Sequence, residues 1–271
     1  MKIGTNHTNK VINMLYFIGL GLNKNQLTQE AINALQKSDK IYLENYTSNY
    51  SDNNSKDLEK QFKKKFHRIY REESEQGFSN IITEAKTKDI AFFVFGNITS
   101  ATTHCSIINE TTENKIKIKL IPGISIFSVI PMLTGLEEYR FGRTISIVKP
   151  INNYSPSSFF DYILQNNQLG LHTMCLLDIK IDKTSKYFMQ PYEAAQRLLE
   201  IADEKNIETK NWKVFVISGA CSKKEKIFLT TLKELTKQKT NYNYPSTLII
   251  ANKLTMTENE NLKNIICFPK K

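Results

Sequence analysis

The feature that most limits the possible folds of this chain is a series of short, continuously apolar runs that end at glycine turns. The run 14–18 (MLYFI) ends at Gly19-Leu20-Gly21, and the run 90–95 (IAFFVF) ends at Gly96. A short, unbroken apolar run is typical of a strand that is buried on both faces. Between the two runs, apolar residues repeat every four positions, which predicts a helix over 28–37 with Thr28 as its N-cap. This alternation predicts an α/β domain with a largely parallel sheet.

The same patterns continue along the chain and divide it into three parts. Further strands are predicted at 40–44, 66–70, 115–121, 144–148, 172–177, 213–218 and 247–251, and further helices at 57–65, 73–86, 102–111, 156–166, 192–205 and 232–237. Ser155 precedes Pro156, a favourable first-turn residue, and is expected to cap its helix. Because Pro122-Gly123 interrupts the pattern, we predict a loose extension over 1–13, an N-terminal α/β domain over 14–122 and a C-terminal α/β domain over 123–271.

Composition excludes several classes of protein. Hydrophobic residues make up 40% and charged residues 24% of the 271 residues, which is typical of a globular chain rather than a disordered one. The formal charge of +10 suggests a nucleic-acid partner, but five of the 37 basic residues are arginine, the residue that pairs bidentately with guanine and phosphate. We therefore expect no direct nucleic-acid binding.

The apolar stretch 11–22 is too short to span a bilayer, and no small-residue cleavage site follows it, so we expect a cytoplasmic protein without membrane contact.

No metal site is predicted from the cysteines and histidines. The four cysteines are far apart in the sequence, and the four histidines form no pair at metal-ligand spacing. The cysteines are expected to be reduced and mostly buried. His104 and His172 are candidates for a general base in principle, but each is expected to be a structural hydrogen-bonding group.

The turns after the predicted strands are the places where a small molecule is expected to bind. Ligands of such sheets bind at the carboxyl ends of the strands, which here carry Gly19-Leu20-Gly21 and Gly96-Asn97. The first turn is half of a dinucleotide fingerprint, but Lys24 stands in place of the third glycine, and only Asp39 or Glu44 remains as a ribose-binding acid. Asp178, which follows the strand 172–177, is the best-placed carboxylate, and a turn-forming role fits it equally well. Patterns alone therefore indicate an α/β protein that binds a small molecule at these turns.

Several segments in collinear order resemble the diphthine synthases, a branch of the tetrapyrrole-methylase class. The segments are MLYFIGLGL (14–22), YLENYTS (42–48), ATTH (101–104), FGRTISIV (141–148), SSFFDYILQNNQLGLHTMCLLDIK (157–180), AAQRLLEI (194–201) and PSTLII (245–250). The resemblance implies two α/β domains with S-adenosylmethionine in the cleft between them, and usually a homodimer. It also implies the reaction, repeated methylation of the modified histidine of translation elongation factor 2 in diphthamide synthesis. The eukaryotic kind, which this chain resembles most, adds a methyl ester after trimethylating the amine.

The resemblance nominates cofactor-binding residues by their positions in these segments. They are Leu22, Asn97, Ser100, Ser125, Ile126, Leu177, Ala220 and Ser246. Three of them depart from the family pattern: Asn97 replaces an aspartate, Ser100 replaces a glycine, and Ser246 stands where histidine is common. A positive φ at Ser100 would cost about 1 kcal/mol.

The reaction that the resemblance implies asks little of side chains. Methyl transfer from a sulfonium is an in-line displacement with a neutral leaving group, so alignment is the main task and no catalytic residue is nominated. Three alternatives stay open at this stage. They are a weakly active or non-catalytic relative that docks on the translation factor or RNA, a methylase of tetrapyrroles or RNA on the same fold, and a basic RNA-binding protein supported by charge alone.

Overall fold

The computed structural model describes residues 13–52, 55–100 and 104–264, and these residues form two five-stranded sheets in succession. Of the predicted extension 1–13, Asn13 alone is described, and its Nδ2 donates to the backbone oxygen of Lys86 at 3.0 Å. The predicted helix start at 102 and Cys267 lie outside the described residues. Within the described residues, no helix is both long enough and apolar enough to cross a bilayer.

The first sheet is entirely parallel, which confirms the prediction from the apolar runs. Its strands are β1 (Met14–Gly19), β2 (Lys40–Glu44), β3 (Phe66–Ile69), β4 (Ile90–Val94) and β5 (Lys117–Ile121), in the order β3-β2-β4-β1-β5. The intervening helices are α1 (Gln29–Lys37), α2 (Ser55–Phe62), α3 (Arg71–Ala85) and α4 (His104–Glu113). Phe92 and Phe93 enter apolar clusters on opposite faces of the sheet, which explains the unbroken apolar run in β4. Thr28 caps α1 as predicted, since its Oγ1 accepts from the Ala31 N–H at 3.1 Å.

The second sheet is mostly antiparallel. Its strands are β6 (Ile145–Ile147), β7 (Thr173–Leu177), β10 (Lys213–Ser218), β11 (Lys226–Thr231) and β12 (Ser246–Ala251), in the order β11-β10-β12-β7-β6, and β6 and β7 form its parallel pair. A separate hairpin consists of β8 (Ile179–Ile181) and β9 (Lys186–Phe188). The helices of this half are α5 (Ile126–Thr134), α6 (Ser158–Gln168), α7 (Pro191–Glu204), α8 (Leu232–Leu235) and α9 (Met256–Asn264).

The structure corrects the sequence-based assignment in this second half. Helices α5 and α9, strand β11 and the β8–β9 hairpin were not predicted from the sequence. The expected cap at Ser155 is wrong, because α6 begins at Ser158 and the Ser155 Oγ accepts from Arg197 Nη2 at 2.7 Å. The division at Pro122-Gly123 falls after the last strand of the first sheet and stays a prediction.

Contacts among the described residues join the two halves of the chain on either side of a central cleft, and they include the following three. Asn23 Nδ2 donates to the backbone oxygen of Cys221 at 2.9 Å, and the Lys223 N–H donates to Asp52 Oδ2 at 2.5 Å. At the turn of the β8–β9 hairpin, Lys183 pairs with Glu73 of α3 at 2.8 Å.

Candidate functional site

A cleft of about 360 Å³ lies between the two sheets, at the carboxyl ends of the parallel strands. This volume is within the range of small-molecule sites. The first half of the chain contributes the turns after β1, β2, β4 and β5, and the second half contributes the ends of β6, β7 and β10 and the start of β12. All eight nominated residues line the cleft: Leu22, Asn97, Ser100, Ser125, Ile126, Leu177, Ala220 and Ser246. The structure thus brings them together, while their binding to a cofactor stays a prediction.

The floor of the cleft is built from backbone that packs without side chains. Gly21 and Gly96 exchange two backbone hydrogen bonds of 3.0 and 2.9 Å, and both have positive φ angles. An added Cβ on Gly123 would lie 2.3 Å from the Gly96 oxygen and 2.5 Å from the carbonyl carbon of Gly19. The ends of β1, β4 and β5 therefore approach one another more closely than any side chain permits. We call Gly19, Gly96 and Gly123 the glycine junction.

A chain of polar side chains connects the turns after β4 and β5. The Gly123 N–H donates to Asn97 Oδ1 at 3.2 Å, Asn97 Nδ2 donates to Ser100 Oγ at 3.4 Å, and Ser125 Oγ donates to Ser100 Oγ at 3.0 Å. Ser125 is the N-cap of α5, and its Oγ accepts from the Phe127 N–H at 3.3 Å. Ser100 is not among the described non-glycine residues with a positive φ, so replacing glycine there causes no backbone strain. The departures at Asn97 and Ser100 therefore form part of an ordered loop.

The second sheet contributes a small, largely apolar wall. Ser246, the third departure from the family pattern, is buried, and its Oγ shares a hydrogen bond of 2.7 Å with the Ser218 Oγ. The Gly219 N–H donates to the Pro245 oxygen at 3.0 Å, which places Ala220 beside the start of β12. Leu177 lies at the end of β7 and is almost fully buried. Hydroxyl pairing satisfies the polar groups of this wall without histidine.

The loop 45–51 after β2 forms part of the cleft that pattern reasoning missed. Thr47, Ser48, Asn49, Tyr50 and Ser51 line the cleft. Glu44, which is fully buried, holds the loop: its Oε1 accepts from the N–H groups of Tyr46 and Thr47 at 2.5 and 2.7 Å, and its Oε2 accepts from the Thr47 hydroxyl. The signal was present in the sequence, as a polar loop directly after a strand inside the family segment YLENYTS.

The buried carboxylate of Glu44 is the charged group that holds the loop 45–51. Burial raises its pKa, while the hydrogen bonds from Thr47 and Tyr46 and the positive charge of Arg71 oppose the rise. The guanidinium of Arg71 lies 5.2 Å from the centre of the Tyr46 ring, and Arg71 lines the cleft. Tyr50 donates from its hydroxyl to the Leu20 oxygen at 2.9 Å, and burial raises the pKa of Tyr50.

The remaining sequence candidates are placed as follows. Asp178 follows β7, as predicted, and lines the cleft. His104 and His172 are buried and are not among the lining residues of the cleft. The Nδ1 of His104 lies 3.0 Å from the Ile98 oxygen, and the Nε2 of His172 lies 2.9 Å from Glu258 Oε1, so both have structural partners.

The two acids considered for a dinucleotide are both engaged elsewhere. Glu44 binds its own loop, and Asp39 precedes β2 at the opposite end of the sheet, where its Oδ2 accepts from the Asp89 N–H at 2.9 Å. In the part of the chain that the structure describes, no three histidine, cysteine or acidic side chains are grouped as a metal site requires.

Comparison with known proteins agrees with this geometry. The family model of tetrapyrrole (corrin/porphyrin) methylases matches residues 14–236. The chain is 37% identical to the diphthine synthase of Methanocaldococcus jannaschii over 256 residues, which is 92% of this chain and 98% of that protein. It is 38% identical to the diphthine synthase of Methanococcus vannielii over 254 residues, with the same two coverages.

Solved structures give the same result. The crystal structure of a proposed diphthine synthase from Entamoeba histolytica is similar with a TM-score of 0.84 and 28% identity, covering 96% of this chain and all of that one. A crystal structure of diphthine synthase is similar with a TM-score of 0.81 and 26% identity, covering 95% and 97% of the two chains. The two-sheet fold, the cleft at the strand ends and these relatives agree: the chain belongs to the tetrapyrrole methylase family and, within it, to the diphthine synthases.

Proposed function

We propose that this protein is an S-adenosylmethionine-dependent methyltransferase of diphthamide biosynthesis, which repeatedly methylates the modified histidine of translation elongation factor 2. The observation that carries the proposal is the convergence of all eight nominated residues on one cleft in a diphthine synthase relative. Three of them lie before the division at Pro122-Gly123 and five lie after it, so the site depends on both parts of the chain.

The residues of the cleft fit S-adenosylmethionine chemically. Leu22, Ile126 and Leu177 offer apolar surface to an adenine ring, and the hydroxyls of Ser100 and Ser125 offer hydrogen bonds. The glycine turns at 21 and 96 bring backbone groups to the surface of the cleft without Cβ atoms in the way. When bound, the cofactor supplies an activated methyl group on a sulfonium; its product is S-adenosylhomocysteine.

The chain's own contribution to the reaction is alignment and exclusion of water. Sulfur, methyl carbon and acceptor nitrogen have to be nearly in line at about 3–3.5 Å between the reacting atoms, which the rigid floor and walls of the cleft favour. A poorly solvated cleft lowers the pKa of an amine, so the acceptor loses its proton without a dedicated base. Neither histidine candidate lines the cleft, in agreement with a mechanism that needs no base at those positions.

The partner, the assembly and the compartment belong to the same proposal. The partner is translation elongation factor 2 as protein substrate, the compartment is the cytoplasm, and the assembly is a homodimer. The homodimer follows from the family resemblance, and Leu120, Ile124 and Met132 are exposed apolar side chains available for such a contact. Light scattering at several protein concentrations measures the assembly.

Mass spectrometry tests the proposed reaction. Elongation factor 2 that carries the modified but unmethylated histidine is incubated with the purified protein and S-adenosylmethionine. We expect mass increments of successive methyl groups on that residue, and their number separates the trimethylated amine from the added methyl ester. The proposal is wrong if the factor gains no methyl group while calorimetry shows normal cofactor binding.

A further inference from the structure

The cleft contains two charged side chains among its described lining residues, one of each sign. They are Arg71 and Asp178, and every other described lining residue is uncharged. Neither is among the eight residues nominated for the cofactor. A cleft of this size that keeps one cation and one anion is suited to a ligand group carrying both charges.

The two charges come from opposite walls of the cleft. Arg71 is the first residue of α3 in the first half of the chain, and Asp178 follows β7 in the second half. A ligand group held by both is therefore clamped between the two sheets.

Arg71 is arranged to attract a carboxylate. Its guanidinium lies over the ring of Tyr46, at 5.2 Å from the ring centre, and Tyr46 is fixed by burial and by its N–H bond to Glu44. Arg71 also stands at the N-terminus of a 15-residue helix, where the backbone N–H groups carry partial positive charge. Its positive charge already acts on the buried Glu44 carboxylate, and the planar shape of a guanidinium suits a carboxylate ligand.

Asp178 is arranged to hold an amine on the other wall. The Lys149 N–H donates to its Oδ2 at 3.1 Å, which orients the carboxylate, and its backbone oxygen accepts from the Met189 N–H at 2.9 Å. Lys149 itself lies over the Tyr187 ring at 4.2 Å. These bonds fix Asp178 at the root of the β8–β9 hairpin, whose turn reaches α3 through the Lys183–Glu73 pair.

We propose that Arg71 and Asp178 form the acceptor subsite, in which Arg71 binds the carboxylate and Asp178 binds the amine of the group to be methylated. The inference rests on the proposed function, whose acceptor carries an amine and, where a methyl ester is added, a carboxylate. In each transfer to the amine, the acceptor nitrogen forms the new N–C bond while the S–C bond of the donor breaks and its electron pair stays on sulfur; in a transfer to the carboxylate, an oxygen forms the new O–C bond instead. One proton leaves the nitrogen before each transfer to the amine. Because the Asp178 carboxylate raises the pKa of a bound ammonium, it opposes the effect of desolvation, and it is placed to accept that proton. Positive charge moves from sulfur to nitrogen, and the Asp178 carboxylate stabilises it there.

S-adenosylmethionine itself carries an amino group and a carboxylate, so the donor is a second ligand that Arg71 and Asp178 are able to hold. If the charged pair held the donor, its loss would lower the affinity for S-adenosylmethionine. If it holds the acceptor, its loss raises the KM for the protein substrate and leaves the affinity for the donor unchanged. These two readouts separate the sources.

The test uses Arg71→Met and Asp178→Asn with two matched controls. Arg143→Met removes an arginine that also stacks on a tyrosine, at 3.7 Å from the centre of Tyr162, and Asp182→Asn removes a carboxylate of the same hairpin; neither residue lines the cleft. Each variant is assayed by calorimetry with S-adenosylmethionine and by methyl transfer to elongation factor 2. Calorimetry also reports that the variant is folded.

We expect the KM for elongation factor 2 to rise by about 10- to 100-fold in each cleft variant, as for loss of a charge-assisted hydrogen bond. We expect unchanged donor affinity in both, an intermediate KM for Arg71→Lys, and wild-type values for the controls. Weaker donor binding with an unchanged KM for the factor would show that the pair holds the donor and overturn the inference. Wild-type kinetics in both variants would do the same. A wild-type protein that transfers no methyl group refutes the proposed function itself.

Discussion

Substitution of Gly123 by alanine tests whether the glycine junction supports the whole site. The new Cβ would stand 2.3 Å from the Gly96 oxygen and 2.5 Å from the carbonyl carbon of Gly19. An ordinary contact between such atoms exceeds 3 Å, so the strand ends would have to separate by most of an ångström. Both obstacles are backbone atoms, and no rotamer change relieves the clash.

The expected cost follows from these distances. Overpacking of a rigid site typically costs about 1–3 kcal/mol, while alanine gains about 0.4–1 kcal/mol by restricting the unfolded chain. We therefore expect a net loss of about 1–2 kcal/mol in the free energy of unfolding. The displaced Gly123 N–H would also release Asn97 Oδ1, so the affinity for S-adenosylmethionine should fall together with stability.

Urea unfolding and calorimetry measure the two effects, and Gly170→Ala is the control. Gly170 has a φ of +74°, but an added Cβ would meet no atom within 4 Å. That substitution isolates backbone strain of about 1 kcal/mol without a clash, at a position remote from the lining residues. The reasoning is refuted if Gly123→Ala is no less stable than Gly170→Ala.

Two further predictions concern buried charge. Glu44→Ala leaves the N–H groups of Tyr46 and Thr47 and the Thr47 hydroxyl without their acceptor. Unfolding in urea should therefore show a loss of about 3 kcal/mol or more in the free energy of unfolding. Glu44→Gln keeps one acceptor oxygen and should lose less stability, and equal losses in the two variants would contradict this account. Burial lowers the pKa of His172, whose Nδ1 accepts from the Asn252 N–H. On acidification the unfolded chain therefore takes up a proton before the folded chain does, and the free energy of unfolding should fall as the pH drops below about 6.5. If His172→Gln shows the same dependence of unfolding free energy on pH as the wild type, this assignment is wrong.

Acid should weaken the same region a second time at lower pH. Although burial opposes it, hydrogen bonds from the Thr255 N–H and from His172 hold the pKa of Glu258 below its ordinary value. The stability that Glu258 contributes is therefore present above about pH 4.5 and is lost as the pH falls through the folded-state pKa. Because Glu258 also binds Arg140, this loss should release α9 first.

The first half of the chain was predictable because local patterns determine it. The inner strands β1 and β4 are largely or fully buried, so an unbroken apolar run marked each of them, whereas the edge strands β3 and β5 are partly exposed and carry charged residues. Helix α1, between two of the strands, was marked by its apolar stripe. The second half was harder for a physical reason. Helix α5 is apolar on all sides and contains Pro131, so no 3.6-residue stripe marked it. Helix α9 is polar, and it is held by tertiary bonds from Glu258 to Arg140 and His172.

The site was predictable only in part for a related reason. Pattern reasoning found the two glycine turns and Asp178 because strand ends converge in a parallel sheet. The other residues of the cleft came from the resemblance, since single side chains such as Ala220 carry no local signal. Arg71 was missed because it begins a helix whose first four residues (REES) read as a solvated turn, and only the tertiary fold brings it to Tyr46.

The departures from the family pattern are compatible with an active cleft because the structure uses each of them. Asn97 has lost a carboxylate, yet its Oδ1 still accepts from the Gly123 N–H and so keeps the loop on the glycine junction. Ser100 replaces a glycine without a positive φ, and its hydroxyl accepts from Ser125, the cap of α5. Ser246 pairs with the buried Ser218 and leaves no polar atom exposed to the apolar wall. Each altered residue therefore fits the loop or wall in which it stands, and the departures give no structural reason to expect a loss of cofactor binding.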